Sequence, residues 1–151
     1  MGMIQNAYDR CMGWTVPLQS ILLFIIRIIW GVQFVFAGWG KLSNLGATTE
    51  FFESLSITNP ETMALTVGCI ELICGLFMVF GLIARLTALP LVIVMIGAYI
   101  TAHTAAVTSM FTDFEMFTNE APFLFLYASL LVLAFGPGRL SLDYLIRNNS
   151  K

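Results

Sequence analysis

Long apolar runs alternate with short polar breaks along this chain. A bilayer core of about 30 Å needs roughly 20 apolar helical residues. Four stretches meet or approach that length, 18–40, 62–83, 86–107 and 121–136. The fourth gives a rise of only about 24 Å, so its start is expected earlier, near Asn119. The first run is interrupted by Gln19, Ser20, Arg27 and Gln33, the second by Glu71 alone, and the third carries Pro90 and His103. Asn59-Pro60-Glu61 offers a cap, a proline for the first helical position and an acid for the helix dipole. Gly136-Pro137-Gly138 is a stop for the fourth helix. Only Ala84 and Arg85 separate the second and third runs, which requires a tight antiparallel hairpin.

Two shorter segments carry a different pattern. In Thr49–Leu55 (TEFFESL), Phe51, Phe52 and Leu55 share one face, as in a short helix lying on a membrane surface. Ser141–Ile146 (SLDYLI) has the same character at the other end. Trp14, Trp39 and Tyr144 fall near run ends, where interfacial aromatics anchor a bundle.

Composition agrees with lipid as the solvent. The 151 residues are 58% hydrophobic and 11% charged, against roughly a quarter charged in soluble proteins. Mean hydropathy is +0.87. The expected fold is an all-α membrane protein, a four-transmembrane-helix bundle forming a single domain over 1–151. A net charge of −2 argues against nucleic-acid binding. Cys69 and Cys74 would stand about 140° apart on a helix and cannot pair with each other; with Cys11 they read as small apolar residues. Met1–Thr15 is mixed in polarity and does not read as a signal peptide.

Charge distribution gives an orientation. The termini and the second connection hold Arg10, Arg85, Arg139, Arg147 and Lys151. The other two connections hold Lys41 against Glu50, Glu53, Glu61, Asp113, Glu115 and Glu120. The positive-inside rule places both termini in the cytoplasm. The segment 49–55 then lies in the first outer loop.

Charges inside a span are costly and usually face the bundle interior and pair. Arg27 and Glu71 each lie about nine residues into their runs, which puts their Cα levels about 6 Å apart if the runs are flush. They are an expected ion pair, either a structural bolt or part of a ligand or proton-exchange site. Arg27, Gly31, Phe34, Gly38 and Lys41 recur at helical steps, as do Gly68, Glu71 and Gly75. Small residues of this kind allow close helix approach. Lys41, His103 and Glu120 fall near run ends and would gather with Glu71 around an outward-opening cleft, with Tyr99 placed to orient His103 and Tyr127 able to line the cleft. One histidine with two carboxylates is too few for a metal site. There is no phosphate loop, dinucleotide fingerprint, HExxH or nucleophile elbow, and a single histidine does not supply the usual axial pair for haem b.

The motif R-x3-G-x6-G-x2-KL, formed by Arg27, Gly31, Gly38 and Lys41-Leu42, resembles the opening of the DoxX family. IELICGLFMVFGLIARL resembles that family's E-x3-G-x5-GL-x2-R signature through Glu71, Gly75, Gly81-Leu82 and Arg85. His103, Asn119-Glu120 and GPGRLSLD (Gly136–Asp143) extend the resemblance over nearly the whole chain. The resemblance implies a small four-helix integral protein of the bacterial inner membrane. It associates the chain with quinol oxidase and thiosulfate:quinone oxidoreductase systems, and with thiol and oxidative-stress systems.

The leading expectation is a membrane subunit or partner of a quinone-linked oxidoreductase, not catalytic alone and holding no cofactor of its own beyond a quinone. A quinone or lipid site would lie between spans one and two. Glu71 or His103 would exchange protons, Arg27 would hold a carbonyl oxygen, and Trp30, Phe34, Phe77 and Phe80 would line the slot. The alternatives are an assembly scaffold, using faces such as 111–125, or a small-solute or proton transporter acting as a homo-oligomer. The bilayer and other membrane subunits are the expected partners.

Overall fold

The computed structural model describes Gly2–Asn149, with side chains described for Thr15 and from Pro17 onward. The expected cytoplasmic charges Arg10 and Lys151, the apolar Cys11 and the anchor Trp14 lie outside the described side chains. The described chain is all-helical: α1 (Gly2–Ser43), α2 (Leu45–Ser54), α3 (Pro60–Phe80), α4 (Ala84–Ala102), α5 (Thr104–Thr108), α6 (Phe114–Asn119), α7 (Ala121–Phe135) and α8 (Leu142–Asn149).

Pro17–Ser43, α3 and α4 are long and apolar enough to cross a membrane. The shorter apolar α7 completes the bundle. Large apolar side chains such as Leu18, Phe36, Ile93 and Ile100 point outward around it. In water this surface would be far larger than a soluble monomer exposes; in lipid it is the expected exterior. The chain is an integral membrane protein built as a helical bundle.

Two antiparallel pairs build the bundle. α1 packs along α3, and α4 packs along α7. Phe34, Met78, Leu91, Met95, Ala128 and Val132 fill the space where the pairs meet. Phe125 of α7 is the centre of the aromatic packing. Its ring meets Trp30 at 5.2 Å and Phe34 at 4.7 Å, both edge-on. Trp30 and Phe34 are therefore packing residues of this core rather than walls of a slot between spans one and two.

Glycines set the α1–α3 distance. A Cβ on Gly38 would overlap Leu72 N and stand 2.7 Å from Gly68 O, and one on Gly75 would stand 2.8 Å from Phe34 Cβ. The expected close seam is present, and at these glycines the two helices leave no space between them.

Several expected boundaries change. α1 runs through Pro17 without a break, so the first helix begins well before residue 18. The second connection is Gly81–Ile83, not Ala84-Arg85, because Gly81 (φ 65°) and Ile83 (φ 47°) both take left-handed backbone. Asp143 Oδ1 and Oδ2 accept from Ile83 N–H at 2.7 Å and Ala84 N–H at 3.0 Å, capping α4 from the far end of the chain. The third helix ends at Ala102, not 107: His103 (φ −123°, ψ 39°) turns the chain into the separate short α5. The fourth begins at Ala121, not Asn119, because Glu120 is extended between α6 and α7. Asn59 takes left-handed backbone and its side chain caps nothing, while Pro60 does open α3.

α2 lies where the surface helix was expected, and it packs on α3 with Phe52 buried. α8 covers the expected second surface segment, with Tyr144, Leu145 and Ile146 exposed. Trp39 and Tyr144, both exposed, sit near opposite ends of the bundle.

Candidate functional site

The polar residues divide between the two ends of the bundle, here named for α2 and α8. At the α2 end, Lys41 Nζ donates to Glu71 Oε2 at 2.5 Å. The Glu71 side chain is 3% exposed and that of Lys41 28%. On the facing pair, His103 Nδ1 stands 2.7 Å from Glu120 Oε2. The break at His103 and the extended Glu120 aim these two side chains at each other from the ends of α4 and α7. Tyr99 O–H donates to Phe117 O at 2.8 Å, and its ring stacks on Phe117 at 4.5 Å and meets His103 edge-on at 6.0 Å. Tyr99 thus ties α6 to α4 behind the histidine.

Lys41, Glu71 and His103 line one cavity of about 530 Å³ among α1, α2, α3, α4 and α7. Its remaining walls are almost wholly apolar, among them Phe52, Val67, Ile70, Val94 and Phe125. α2 and the turn after it contribute to the wall through Phe52, Leu55 and Ile57. Of the expected gathering, Lys41, Glu71 and His103 share the cavity wall, while Glu120 is off that wall and its side chain meets His103. Tyr127 is not on its wall; its ring stacks with Phe123 at 6.4 Å.

Arg27 lies at the α8 end. Gly31 and Gly38 face the stretches 75–79 and 68–72 of α3, which sets Glu71 level with about residue 37. Arg27 is about ten residues below that level, roughly 15 Å along the axis. The expected Arg27–Glu71 pair is not formed, because the glycine contacts set a register in which the helices are not flush. Glu71 instead reaches the lysine one turn beyond its own level. This also removes Arg27 from any role at the cavity.

Arg27 has its own setting. It is fully buried, and its Nη2 donates to Leu140 O. A Cβ on Gly81 would fall on this guanidinium, 2.8 Å from its Cζ. Asp143 contributes a favourable charge nearby, and Asp143 N–H donates to Gly81 O at 3.1 Å. The loop 136–143 is thereby clasped to the α3–α4 turn and to α1. The residues missing from the sequence reading are Asp143 as a cap, the bare backbone of Gly81, and Phe125. Asp143 and Gly81 stood in recognisable motifs, but nothing along the chain says they touch.

Among the described residues no group of three or more histidine, cysteine or acidic side chains is arranged to hold a metal. Cys69 and Cys74 are free and half-buried.

The motif residues Arg27, Gly38, Glu71, Gly81 and Arg85 thus occupy consistent structural places, and a family model described as DoxX matches residues 22–104. The chain belongs to the DoxX family. It is 29% identical over 127 residues to the Bacillus subtilis protein named "Putative oxidoreductase CatD", covering 84% of this chain and 88% of that protein. Inner membrane protein YqjF of Escherichia coli is 28% identical over 134 residues, covering 85% and 95%. The uncharacterized membrane protein Rv3486 of Mycobacterium tuberculosis is 32% identical over 127 residues, covering 78% and 77%. No solved structure matches the chain.

Proposed function

We propose that this DoxX protein is a membrane subunit or partner of a quinone-linked oxidoreductase and that the α2-end cavity takes the quinone. The carrying observation is an apolar cavity of about 530 Å³ with Lys41, Glu71 and His103 on its wall. A quinone has a matching character, an apolar ring and tail with two carbonyl acceptors. Lys41 and His103 supply N–H donors for those oxygens, and their carboxylate partners Glu71 and Glu120 are within hydrogen-bond reach to relay to them the two protons that reduction of a quinone takes up. Electrons would come from a partner protein. The oxidoreductase name of the Bacillus relative is consistent with this reading. The cavity keeps walls from spans one and two, through Lys41 of α1 and Val67, Ile70 and Glu71 of α3, and extends from their glycine seam toward α4 and α7. The membrane is the bacterial inner membrane with both termini cytoplasmic; the name of the Escherichia relative and the basic residues at the α8 end support this.

Gly97 lines the cavity, and a Cβ added there meets nothing within 4 Å. Gly97→Leu should therefore fill the cavity while leaving the bundle folded. The test titrates the detergent-purified chain with a short-tailed ubiquinone or menaquinone and follows tryptophan fluorescence. Saturable quenching that Gly97→Leu abolishes is the expected result. Equal quenching of both proteins would overturn the assignment.

A further inference from the structure

The α8 end holds a second cavity, of about 580 Å³, that the quinone reading does not use. Its cationic lining is Arg85 from the start of α4 and Arg147 from α8. Among the described residues Asp143 is the one carboxylate on its wall, and both of its oxygens are already committed to the backbone N–H groups of Ile83 and Ala84. Tyr144 and Ser141 add hydroxyl groups.

Arg85 is held in place by the turn beneath it. Its Nη2 donates to Ala134 O at 3.4 Å, a weak bond, and its guanidinium lies over Gly136, where a Cβ would stand 3.2 Å from Nε. Gly136 has φ 78°, so a side chain there is disfavoured twice, by backbone strain and by the guanidinium. Among the described residues neither Arg85 nor Arg147 has a carboxylate within ion-pair distance, and each is exposed. Beside them Leu86 and Phe135, 65% and 58% exposed, line the same cavity and belong to the lipid-facing exterior. Two exposed arginines thus stand at the bundle end directly beside an apolar shelf.

We propose that this cavity binds the phosphodiester headgroup of an anionic phospholipid, with the phosphate between Arg85 and Arg147 and an acyl chain over Leu86 and Phe135. Arginine suits phosphate oxygens because its planar fork presents paired N–H donors. Basic pockets at the ends of membrane helices are suited to anionic headgroups. The apolar shelf is what distinguishes a lipid from free phosphate, which has no use for Leu86 or Phe135. The amphipathic α8, carrying Arg147 and Tyr144 into the site and exposing Leu145 and Ile146, lies as an interfacial helix would. This site is independent of the quinone proposal.

The test is native mass spectrometry of the full chain in mild detergent with phosphatidylglycerol, phosphatidylcholine or inorganic phosphate added. The expected result is a stoichiometric phosphatidylglycerol adduct that outlasts the phosphatidylcholine adduct and is not displaced by millimolar phosphate. Arg85→Gln and Arg147→Gln should each weaken it about five- to tenfold. Arg139→Gln, which removes the same charge from outside the cavity lining, should leave it unchanged. Arg147 lies on the terminal helix, so its variant keeps the test sound if Arg85→Gln fails to fold. Equal retention of both lipids, an equal loss in Arg139→Gln, or an adduct untouched by Arg147→Gln would each overturn the proposal. Binding of inorganic phosphate in place of the lipid would overturn the lipid assignment.

Discussion

The Lys41–Glu71 pair is unequal in its surroundings, and that inequality has a measurable consequence. Glu71 is buried among apolar side chains, whereas Lys41 is more than a quarter exposed. Removing the lysine strands a buried carboxylate, a loss that costs about 3 kcal/mol when a buried pair is broken from one side. Removing the charge on Glu71 leaves a lysine whose flexible stem can carry its ammonium toward the bundle end, the snorkelling that such side chains make at interfaces. Lys41→Met should therefore lower the thermal midpoint in detergent clearly more than Glu71→Gln, and the double variant should recover part of the loss. Equal losses from the two single variants would show that the pair is not asymmetric. Arg27 is burdened in another way. Its guanidinium is enclosed by Gly81 and the loop 136–143, with Nε and Nη1 lacking a hydrogen-bond partner among the described residues.

At the scale of elements, the α1–α3 contact decides what the bundle can hold. A methyl group on Gly38 meets backbone atoms of α3, which cannot swing aside as a side-chain tip would. Gly38→Ala should cost about 1–3 kcal/mol through overpacking. Gly46, in α2, offers the contrast, since a Cβ there meets nothing within 4 Å. Gly46→Ala should be neutral or stabilising by up to about 1 kcal/mol through helix propensity. The comparison is read from unfolding midpoints of the two variants side by side; equal midpoints would refute the close-contact argument. The closed seam also explains why the cavity is bounded by α4 and α7, since that is where the bundle leaves space.

For the whole molecule, the distribution of charge across the bundle gives an orientation that can be measured. Arg85, Arg139 and Arg147 lie at the α8 end with Asp143, while seven of the eight described acidic residues belong to the α2 end or to Glu71. A green fluorescent protein fused after Lys151 should fluoresce, and alkaline phosphatase inserted near Thr112 should be active, because fluorescence requires the cytoplasm and phosphatase activity the far side. The reverse pattern would overturn the cytoplasmic placement of the termini. α7 also bears on the membrane as a whole. Its 15 residues rise only about 22 Å, less than the usual core of about 30 Å, and α6 lies just beyond it with Phe114 exposed.

Much of this was legible in the sequence because it depends on local composition and period. Apolar runs longer than a bilayer core, the small-residue stripes of α1 and α3, the surface helix α2, the glycine stop after α7, and the grouping of Lys41, His103 and Glu120 near run ends all follow from residues close together in the chain. The pairing of charges did not. Whether Glu71 meets Arg27 or Lys41 depends on how far one helix slides along another, and a slide of two turns changes the partner without changing either helix. The glycine stripes held that information, since Gly31 and Gly38 must oppose Gly75 and Gly68 to come close, but only the packed helices turn opposed stripes into a register. The same reason hid the clasp of Asp143 on Ile83 and Ala84, sixty residues apart in sequence. The sequence by itself determined the solvent, the four apolar segments of the bundle and the family. The tertiary structure decided which charges meet, where a cavity remains and which end of the bundle each arginine serves, because these are properties of the relative placement of helices and not of any one of them.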